Sequence, residues 1–538
     1  MRPSATQPAP SCAKMRGMDF KLTYSTMFEP PESLHRTFES ALEKLRGAPP
    51  KDHGLYVDGG NRAAVALHEK FSPIDRELLL GRFAQADAAD VALAVAAAKR
   101  AADSWRRTPA RERMRLLRRV GELIAARVYD ISAAVSLEVG KNRMEALGEV
   151  QETADFFELY CDDFAKQGFD HVLPDDPLKG FRSHNRSVMK PYGPWAVIAP
   201  FNFPFALAGG PVAAALVTGN TVVLKGATDT PWSGRMLADC LHDAGLPPGV
   251  FNYVNGNGAE AGAALVQHPD IAGITFTGSH QVGMSIARHM VSGAIPKPCI
   301  AEMGGKNAAI VTAKADLERA ATGILRSAFG MGGQKCSALS RIFAEASIAD
   351  ALIAAIGEQA SAIRIGDPTQ RQNWLGPVIN AGAQDKYRGY CATLAAQGSR
   401  ILFGGRTPDE GTLAAGFYCE PTLAEAPLGH PLWRQEMFLP IAMLARVPDR
   451  EAAMQQVNDS ELGLTAGFFG GADEVDWFFD HVEAGVTYAN RPQGATTGAW
   501  PGFQPFGGWK GSGTSGKGIA SAYYLALYQR EQSQTRVE

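Results

Sequence analysis

The chain has 538 residues and a mass of 57.5 kDa, more than one hydrophobic core supports, so we expect two or three lobes. Hydrophobic residues make up 45% and charged residues 20% of the sequence, which is typical of folded globular proteins and excludes disorder throughout. The formal net charge is −3. With no general excess of basic residues to neutralise phosphates, we expect a small-molecule substrate and no nucleic-acid partner.

The sequence contains no segment typical of a membrane protein or a disulfide scaffold. Its longest nearly apolar run, residues 205–217, contains two glycines and a proline and is shorter than the roughly 20 residues of a membrane-spanning helix. We therefore expect no membrane segment and a cytoplasmic protein. Seven scattered cysteines form no CxxC pair, which argues against a zinc site or any other bound metal and favours free thiols.

The N-terminal part of the chain predicts an extension followed by two helices. The first 50 residues are weakly patterned, and we interpret them as an N-terminal extension that lies over the core. From Asp87 the apolar spacing predicts a helix that buries Val91, Val95 and Trp105. A second helix is expected to begin with Thr108 as its N-cap and a proline at its first position.

From residue 195 onward, short β-rich runs alternate with helical stretches. The first runs are WAVIA (195–199), TVVLK (221–225), VFNYV (250–254) and GITF (273–276). This alternation predicts parallel βαβ units in a doubly wound sheet, the usual location of a dinucleotide. A second series begins with NAAIV at residue 307, continues with helices at 316–330 and 348–363, and ends near residue 490. It predicts a second α/β lobe.

Two strand-like segments lie outside both lobes, at residues 183–193 and 523–535. They fit either a hairpin arm that pairs with another subunit, in a homodimer or dimer-based oligomer, or a plain edge of a sheet. The predicted domains are an extension (1–50), a dinucleotide-binding domain (51–181 and 194–305), a catalytic domain (306–512) and an oligomerisation arm (182–193 and 513–538).

Three residues are candidates for catalysis. Cys336 lies in GMGGQKCSALSR, and its glycines and lysine predict an open, electropositive setting that favours thiolate. Glu302 ends a β-like run and is a candidate general base, while Asn202 in a strand-to-helix turn is a candidate oxyanion donor. Taken singly, an exposed strand-end acid and an ordinary turn residue explain Glu302 and Asn202 as well.

Other segments have the properties of a cofactor site. Gly278 and Ser279 stand between a buried strand and a helix, where backbone N–H groups can meet a phosphate, although taken alone such a segment is more often a plain N-cap. Lys225 ends the strand TVVLK and suits ribose hydroxyls, or is simply solvated. The segment NGNGAEAG (255–262) is one residue too long for GxGxxG, and we interpret it as a loop beside an adenine pocket.

Seven motifs, taken together, decide between these interpretations. They are PFNFP (200–204), Lys225, FTGS (276–279), EMGGKN (302–307), GQKC (333–336), EMFLP (436–440) and PFGG (505–508). In order and spacing they resemble the NAD(P)-dependent aldehyde dehydrogenase superfamily, from about residue 55 to the C-terminus. The resemblance implies an α/β fold with a Rossmann-like cofactor lobe, an α/β catalytic lobe and a strand arm for oligomerisation.

The resemblance also implies roles for individual residues. Cys336 would be the nucleophile, the Asn202 amide and the Cys336 backbone N–H the oxyanion donors, and Glu302 the base that activates the hydrolytic water. The implied cofactor is NAD, with NADP activity expected because Thr228 stands where the family often has an acid. The implied cofactor-binding residues are Lys225, Thr228, Gly278, Ser279, Gly283, Glu436 and Phe438.

A narrower likeness concerns the substrate. GQKCSA, GPVIN (376–380) and TTGAWPGFQPFGGWKGSGTSGKG (496–518) resemble the L-glutamate γ-semialdehyde (1-pyrroline-5-carboxylate) dehydrogenases of proline breakdown. This implies that Ser337, Gly498 and Ala499 hold an α-carboxylate, although Met303 and SGKGIAS depart from that pattern. The alternatives are another semialdehyde, an aromatic aldehyde beside the two tryptophans at 500 and 509, and a catalytically idle structural relative.

Overall fold

The computed structural model describes residues 22–23, 26–27, 29–63, 66–177, 179–492, 494 and 499–538. Gly498, one of the expected carboxylate donors, lies outside the described residues. The α-helices are α1 Glu32–Arg46, α2 Ala88–Arg107, α3 Ala110–Ala126, α4 Val128–Val139, α5 Arg143–Gln167, α6 Ala206–Val217, α7 Pro231–Asp243, α8 Ala263–Gln267, α9 His280–Ser292, α10 Leu317–Phe329, α11 Ala349–Ser361, α12 Ala381–Ala396, α13 Arg450–Asn458 and α14 Val475–His481. The strands are β1 Lys51–His53, β2 Leu55–Val57, β3 Gly60–Arg62, β4 Ala66–Phe71, β5 Leu79–Gln85, β6 Asp170–Leu173, β7 Ser183–Pro191, β8 Pro194–Ile198, β9 Thr221–Lys225, β10 Phe251–Val254, β11 Gly273–Thr277, β12 Cys299–Glu302, β13 Asn307–Val311, β14 Leu339–Glu345, β15 Arg400–Phe403, β16 Thr422–Glu425, β17 Ile441–Val447, β18 Leu462–Gly463, β19 Thr465–Phe469, β20 Val486–Ala489, β21 Trp509–Lys510 and β22 Gln529–Val537.

A first sheet of seven strands has the order β12-β11-β8-β9-β10-β2-β3. Its neighbours are parallel from β12 to β10, and β2 and β3 complete it as antiparallel strands. The strands β8, β9, β10 and β11 are the four predicted β-rich runs. They are apolar along nearly their whole length because helices cover both faces of a parallel sheet. The predicted doubly wound sheet is therefore confirmed.

A second sheet of seven strands has the order β15-β16-β17-β14-β13-β19-β20. All its pairs are parallel except the β15–β16 pair. The predicted helices at 316–330 and 348–363 correspond to α10 and α11, and Asp316 caps α10 by accepting the backbone N–H of Arg319. The predicted second α/β series is confirmed, while the domain boundaries stay a prediction.

The two orphan segments pair with each other. Strands β7 and β22 run antiparallel from Ser183 opposite Val537 to Pro191 opposite Gln529, and β6, which was not predicted, joins the free edge of β7. The predicted strand at 523–535 starts too early, because residues 525–528 form a 3₁₀ turn. Within that turn the Tyr528 ring is buried against Trp195 at 4.8 Å between centroids.

The helices near the N-terminus follow the predicted pattern with one correction. Helix α2 buries Val91, Val95 and Trp105 as expected. Thr108 is not the N-cap of α3, which begins at Ala110 without a side-chain cap. Instead the Thr108 hydroxyl donates to the carbonyl of Ser104, so Thr108 closes α2.

The described part of the first 50 residues packs against the core. Helix α1 contacts α4 and buries Leu34 and Phe38. None of the described helices has both the length and the hydrophobicity needed to cross a membrane. Among the described residues, no group of three or more His, Cys, Asp or Glu side chains is arranged to hold a metal ion.

Candidate active site

The carboxyl edge of the first sheet brings together residues that are distant in sequence. Asn202 follows β8, Lys225 ends β9, Gly278 and Ser279 follow β11, and Glu302 ends β12. Parallel strands of one sheet end at the same edge, which is where open α/β sheets bind ligands. Four of the predicted segments therefore lie at the carboxyl edge of the first sheet.

The Asn202 side chain is held toward the cysteine loop. Its Nδ2 donates to the backbone carbonyl of Gln334 at 3.0 Å, two residues before Cys336, and the residue is almost fully buried. A buried amide with a fixed orientation costs little reorganisation when negative charge develops nearby.

The loop that carries Cys336 is shaped by left-handed backbone. Met331, Gly332 and Gly333 all have positive φ, and a Cβ at Gly333 would overlap the carbonyl of Leu439. Asn307 then fixes the loop by donating from Nδ2 to the carbonyl of Cys336 at 2.7 Å. This glycine run therefore serves backbone geometry and close packing, and Cys336 as a whole residue is half-buried.

The electrostatic setting of Cys336 differs from the expectation. Burial, with the charges of Glu436 and Glu302, raises the pKa of the Cys336 thiol to about 12. The ammonium of Lys335 turns instead toward Gly330, beside the Glu145 carboxylate. The predicted thiolate-favouring setting is not found in the structure, because burial and the charges of the two nearby acids keep the proton on the Cys336 thiol.

Glu302 has the proton affinity of a base that works near neutral pH. Burial raises the pKa of its carboxyl to about 8, opposed by a hydrogen bond from the backbone N–H of Gly508. That N–H lies 3.3 Å from Oε2. Such a carboxyl accepts and returns protons at physiological pH, which an exposed strand-end acid does not do.

The predicted adenine side of the cofactor site is built around β9. Lys225 is buried, and burial lowers the pKa of its ammonium to about 8 against the opposing charge of Asp229. The Thr228 hydroxyl donates to the carbonyl of Gly256 at 3.0 Å. This bond joins the end of β9 to the segment 255–262, whose residues Gly258–Gly262 form a π-helical turn.

Small residues keep the start of α9 open. Ser279 is its N-cap and accepts the backbone N–H of Val282 at 3.4 Å, while a Cβ on Gly278 would lie 2.5 Å from the Phe276 ring. A Cβ on Gly283 would lie 2.5 Å from the sulfur of Met303, so Gly283 makes room for the methionine that departs from the family pattern. Uncovered amides at a helix N-terminus, with Lys225 on the same edge, fit a dinucleotide.

The predicted residues near the nicotinamide end lie on the loop after β16. Glu436 accepts the backbone N–H of Gly305 at 3.0 Å, and its carboxylate occupies the space that a side chain on Gly304 would need. Burial raises the pKa of the Glu436 carboxyl to about 7. Phe438 has a positive φ, and its ring meets the Phe201 ring edge-on at 5.8 Å.

A cavity of about 320 Å³ reaches Cys336. The predicted substrate residues Ser337 and Ala499 line it. Trp500 also lines it, and its Nε1 donates to Asp155 at 2.9 Å. Trp509 does not line the cavity and is half exposed on β21.

Sequence reasoning missed several other residues that line this cavity. Among them are Glu152, Phe203 and Phe506. Phe203 directly follows Asn202 and Phe506 lies in the PFGG motif, so adjacency to the motifs was a usable signal. Glu152 lies in α5, far from every motif in sequence, and only the packing of α5 against α6 brings it to the site.

Comparisons with known proteins agree with this geometry. The family model described as the aldehyde dehydrogenase family matches residues 62–532. A protein from Geobacillus thermodenitrificans named 1-pyrroline-5-carboxylate dehydrogenase is 35% identical over 92% of this chain and 95% of its own length. A protein of the same name from Geobacillus kaustophilus is 36% identical over 93% and 96%.

A solved structure is similar over the whole molecule. The crystal structure of 1-pyrroline-5-carboxylate dehydrogenase from Thermus with bound NAD matches with a TM-score of 0.89 and 30% identity, covering 100% of both chains. The predicted fold class and enzyme class are confirmed by these similarities, whereas the roles of individual residues stay predictions. From its motifs, its two seven-stranded sheets and these relatives, the chain belongs to the aldehyde dehydrogenase family.

Proposed function

We propose that this enzyme oxidises L-glutamate γ-semialdehyde, the open form of 1-pyrroline-5-carboxylate, to glutamate. One observation carries the proposal: the cavity beside Cys336 contains both the Ser337 donor and an acid, Glu152. A hydroxyl suits the substrate's α-carboxylate and a carboxylate suits its α-ammonium group. The relatives named 1-pyrroline-5-carboxylate dehydrogenase, which align over nearly the full length of the chain, support the same choice.

Lys335 adds a cationic charge to this pocket. Lys335 is buried and lines the same cavity as Cys336, and burial lowers the pKa of its ammonium while the charge of Glu145 opposes that shift. A carboxylate entering the cavity gains a partner of opposite charge there, in addition to the neutral donor Ser337 and the backbone at Ala499. An uncharged aldehyde gains nothing from this arrangement.

The cofactor of the family would lie along the carboxyl edge of the first sheet. When bound, NAD or NADP supplies a nicotinamide ring that accepts the substrate's hydride. Lys225 and Glu436 would hold the ribose groups, and the amides near Gly278 and Ser279 the pyrophosphate. Thr228 would lie beside the adenine ribose, Gly283 leaves α9 close to the sheet, and Phe438 would pack at the nicotinamide end.

The protein's own residues account for the remaining chemistry. Sγ of Cys336 bonds to the aldehyde carbon, and the thiol proton passes to the Glu302 carboxylate. The amide of Asn202 and the backbone N–H of Cys336 stabilise the oxyanion. After hydride loss the carbon is a thioester. Glu302, once its first proton has passed to solvent, takes a proton from water as the water oxygen attacks the thioester carbon. The C–S bond then breaks, the sulfur of Cys336 takes the proton back from Glu302, and the carboxylic acid leaves.

Comparing two aldehydes in two serine variants tests the proposal. Ser337→Ala removes one hydrogen bond to a charged group, worth about 1.5–3 kcal/mol. We expect the KM for glutamate γ-semialdehyde to rise about ten- to a hundredfold, because each 1.4 kcal/mol is tenfold. The KM for propanal should barely change. Ser340→Ala, three residues further along and outside the cavity, serves as the matched control.

Two outcomes would contradict the proposed substrate. An equal loss for both aldehydes in Ser337→Ala would mean that Ser337 supports the cysteine loop and does not bind a carboxylate. A wild-type preference for benzaldehyde or phenylacetaldehyde over the semialdehyde would instead identify the cavity beside Trp500 as an aromatic pocket.

A further inference from the structure

A buried ion pair lies behind the catalytic turn. Nζ of Lys141 is 2.6 Å from Oε2 of Glu149, and both side chains are completely buried. Lys141 lies in the α4–α5 connection and Glu149 in α5. Burying two charges costs desolvation energy that their attraction often fails to recover. Stabilisation of the fold alone is therefore a poor explanation for such a pair. Other contacts of the Lys141 and Glu149 side chains are made with the turn that follows Asn202 in the candidate active site.

Glu149 holds the helix that follows Asn202. Its Oε1 accepts the backbone N–H groups of Phe205 at 2.8 Å and Ala206 at 3.2 Å. These amides begin α6, whose N-cap Phe205 provides no side-chain cap of its own. A carboxylate from another helix therefore satisfies the free amides of α6 and carries the negative charge that a helix N-terminus favours.

Lys141 holds the aromatic wall of the cavity. Its Nζ lies 3.5 Å from the centre of the Phe203 ring, a cation–π contact in a fully desolvated setting. Phe203 lines the cavity that reaches Cys336, and it directly follows Asn202. The ion pair thus fixes two points of one short turn, the Phe203 ring and the Phe205 amide, immediately after the Asn202 amide.

We infer that Lys141 and Glu149 are positioning residues for aldehyde oxidation, which hold the Asn202 amide and the Phe203 ring at the geometry the reaction needs. The inference rests on the proposed function only for the identity of the preferred aldehyde. Oxyanion stabilisation depends on donors fixed to within a fraction of an ångström, and a displacement of about 1 Å can cost a hundredfold in rate. The pair therefore acts on kcat through Asn202.

The same fold contains a matched control. Glu138 is completely buried at the end of α4 and accepts the backbone N–H groups of Trp232 at 2.6 Å and Ser233 at 2.9 Å, at the start of α7. It therefore caps a helix from a distance in the same way as Glu149. None of the three residues lines the cavity at Cys336.

The test compares kcat and KM in four variants, with propanal as substrate so that the result does not depend on the semialdehyde. We expect Lys141→Met and Glu149→Gln each to lower kcat about ten- to a hundredfold, with the KM for NAD unchanged within about twofold. The double variant Lys141→Met/Glu149→Gln leaves no unpaired buried charge and should recover part of the lost kcat. Glu138→Gln should lower the Tm without this loss of kcat.

The contrary outcomes distinguish a failure of the positioning role from a failure of the proposed substrate. Folded single variants whose Tm falls while kcat per titrated active site stays within twofold of wild type would show that the pair is only structural. An equal fall of kcat in Glu138→Gln would also overturn the inference. If a single variant does not fold, the double variant decides, since full wild-type kcat there excludes a positioning role. A wild-type enzyme that oxidises propanal but shows no preference for the semialdehyde overturns the proposed substrate and leaves this inference standing.

Discussion

At the scale of residues, Cys336 and Glu302 are coupled through their charges. The charge of Glu302 contributes to the raised pKa of the Cys336 thiol, and Glu302 itself has a pKa raised to about 8. Both groups are therefore largely protonated at neutral pH in the absence of ligands. In the proposed mechanism the Cys336 thiol needs a proton acceptor before it attacks, and we expect Glu302 to take that proton as well as to activate water.

Alkylation tests the state of the thiol. Because the pKa of Cys336 lies well above neutrality, we expect its reaction with iodoacetamide in the ligand-free enzyme to speed up steadily between pH 7 and pH 10. Cys336→Ala should abolish aldehyde oxidation and leave NAD binding intact. Cys299→Ala, whose thiol also has a pKa raised by burial to about 11, is the control and should retain activity. A rate of Cys336 labelling that is flat above pH 7 would mean that the thiolate is already formed.

Replacing Glu302 separates its two tasks. In the wild type, the carboxylate that acts as base forms as pH rises through about 8, so turnover should rise with pH and level off above that value. In Glu302→Gln we expect a slower NADH burst of about one equivalent, an even slower steady state and no midpoint near pH 8. Stopped-flow absorbance measures both phases. A burst at the wild-type rate would show that Cys336 loses its proton to another group.

At the scale of elements, we expect the connection between β9 and α7 to determine the choice between NAD and NADP. Position 228 is a threonine, whereas an acid there would repel the 2′-phosphate of NADP. The neighbouring Asp229 accepts a hydrogen bond from Asn380 at 3.3 Å. We expect NAD to be preferred with measurable NADP activity. Thr228→Glu should lower kcat/KM for NADP at least tenfold while NAD changes little, and Thr228→Ser is the control. A wild-type preference above about a thousandfold, roughly 4 kcal/mol, would require a repulsive acid elsewhere.

The elements also show what the sequence can and cannot predict. Strands β8 to β11 were predictable because buried parallel strands are continuous apolar runs with glycine-rich ends. Residues 523–528 were misread, because alternating aromatic and aliphatic residues fit an edge strand as well as a turn buried by distant partners such as Trp195. Nothing in the sequence pattern indicates that Lys141, Glu149 and Glu152 lie near the candidate site, because the packing of α5 against α6 brings them there.

At the scale of the whole molecule, the three-stranded sheet of β6, β7 and β22 predicts self-association. Within the part of the chain that the structure describes, β22 pairs with β7 alone, so its other edge there offers backbone groups that another chain can pair with. We expect a homodimer or a dimer-based oligomer by light scattering after size exclusion. Ser533→Pro, in the middle of β22, should shift the population to smaller species, and Ser533→Ala should not. A monomeric wild type would contradict this prediction.

Residues 508–514, which lead toward this arm, also hydrogen-bond to the end of β12 and the residue after it. Gly508 donates to the carboxylate of Glu302, the carbonyl of Ser512 accepts the N–H of Met303, and the hydroxyl of Thr514 accepts the N–H of Ala301 at 2.9 Å. Folding during synthesis proceeds from the N-terminus, so the nucleophile and the base are made well before the residues that hold the base. We therefore expect Glu302 to reach its final position only after residues 508–514 have been synthesised.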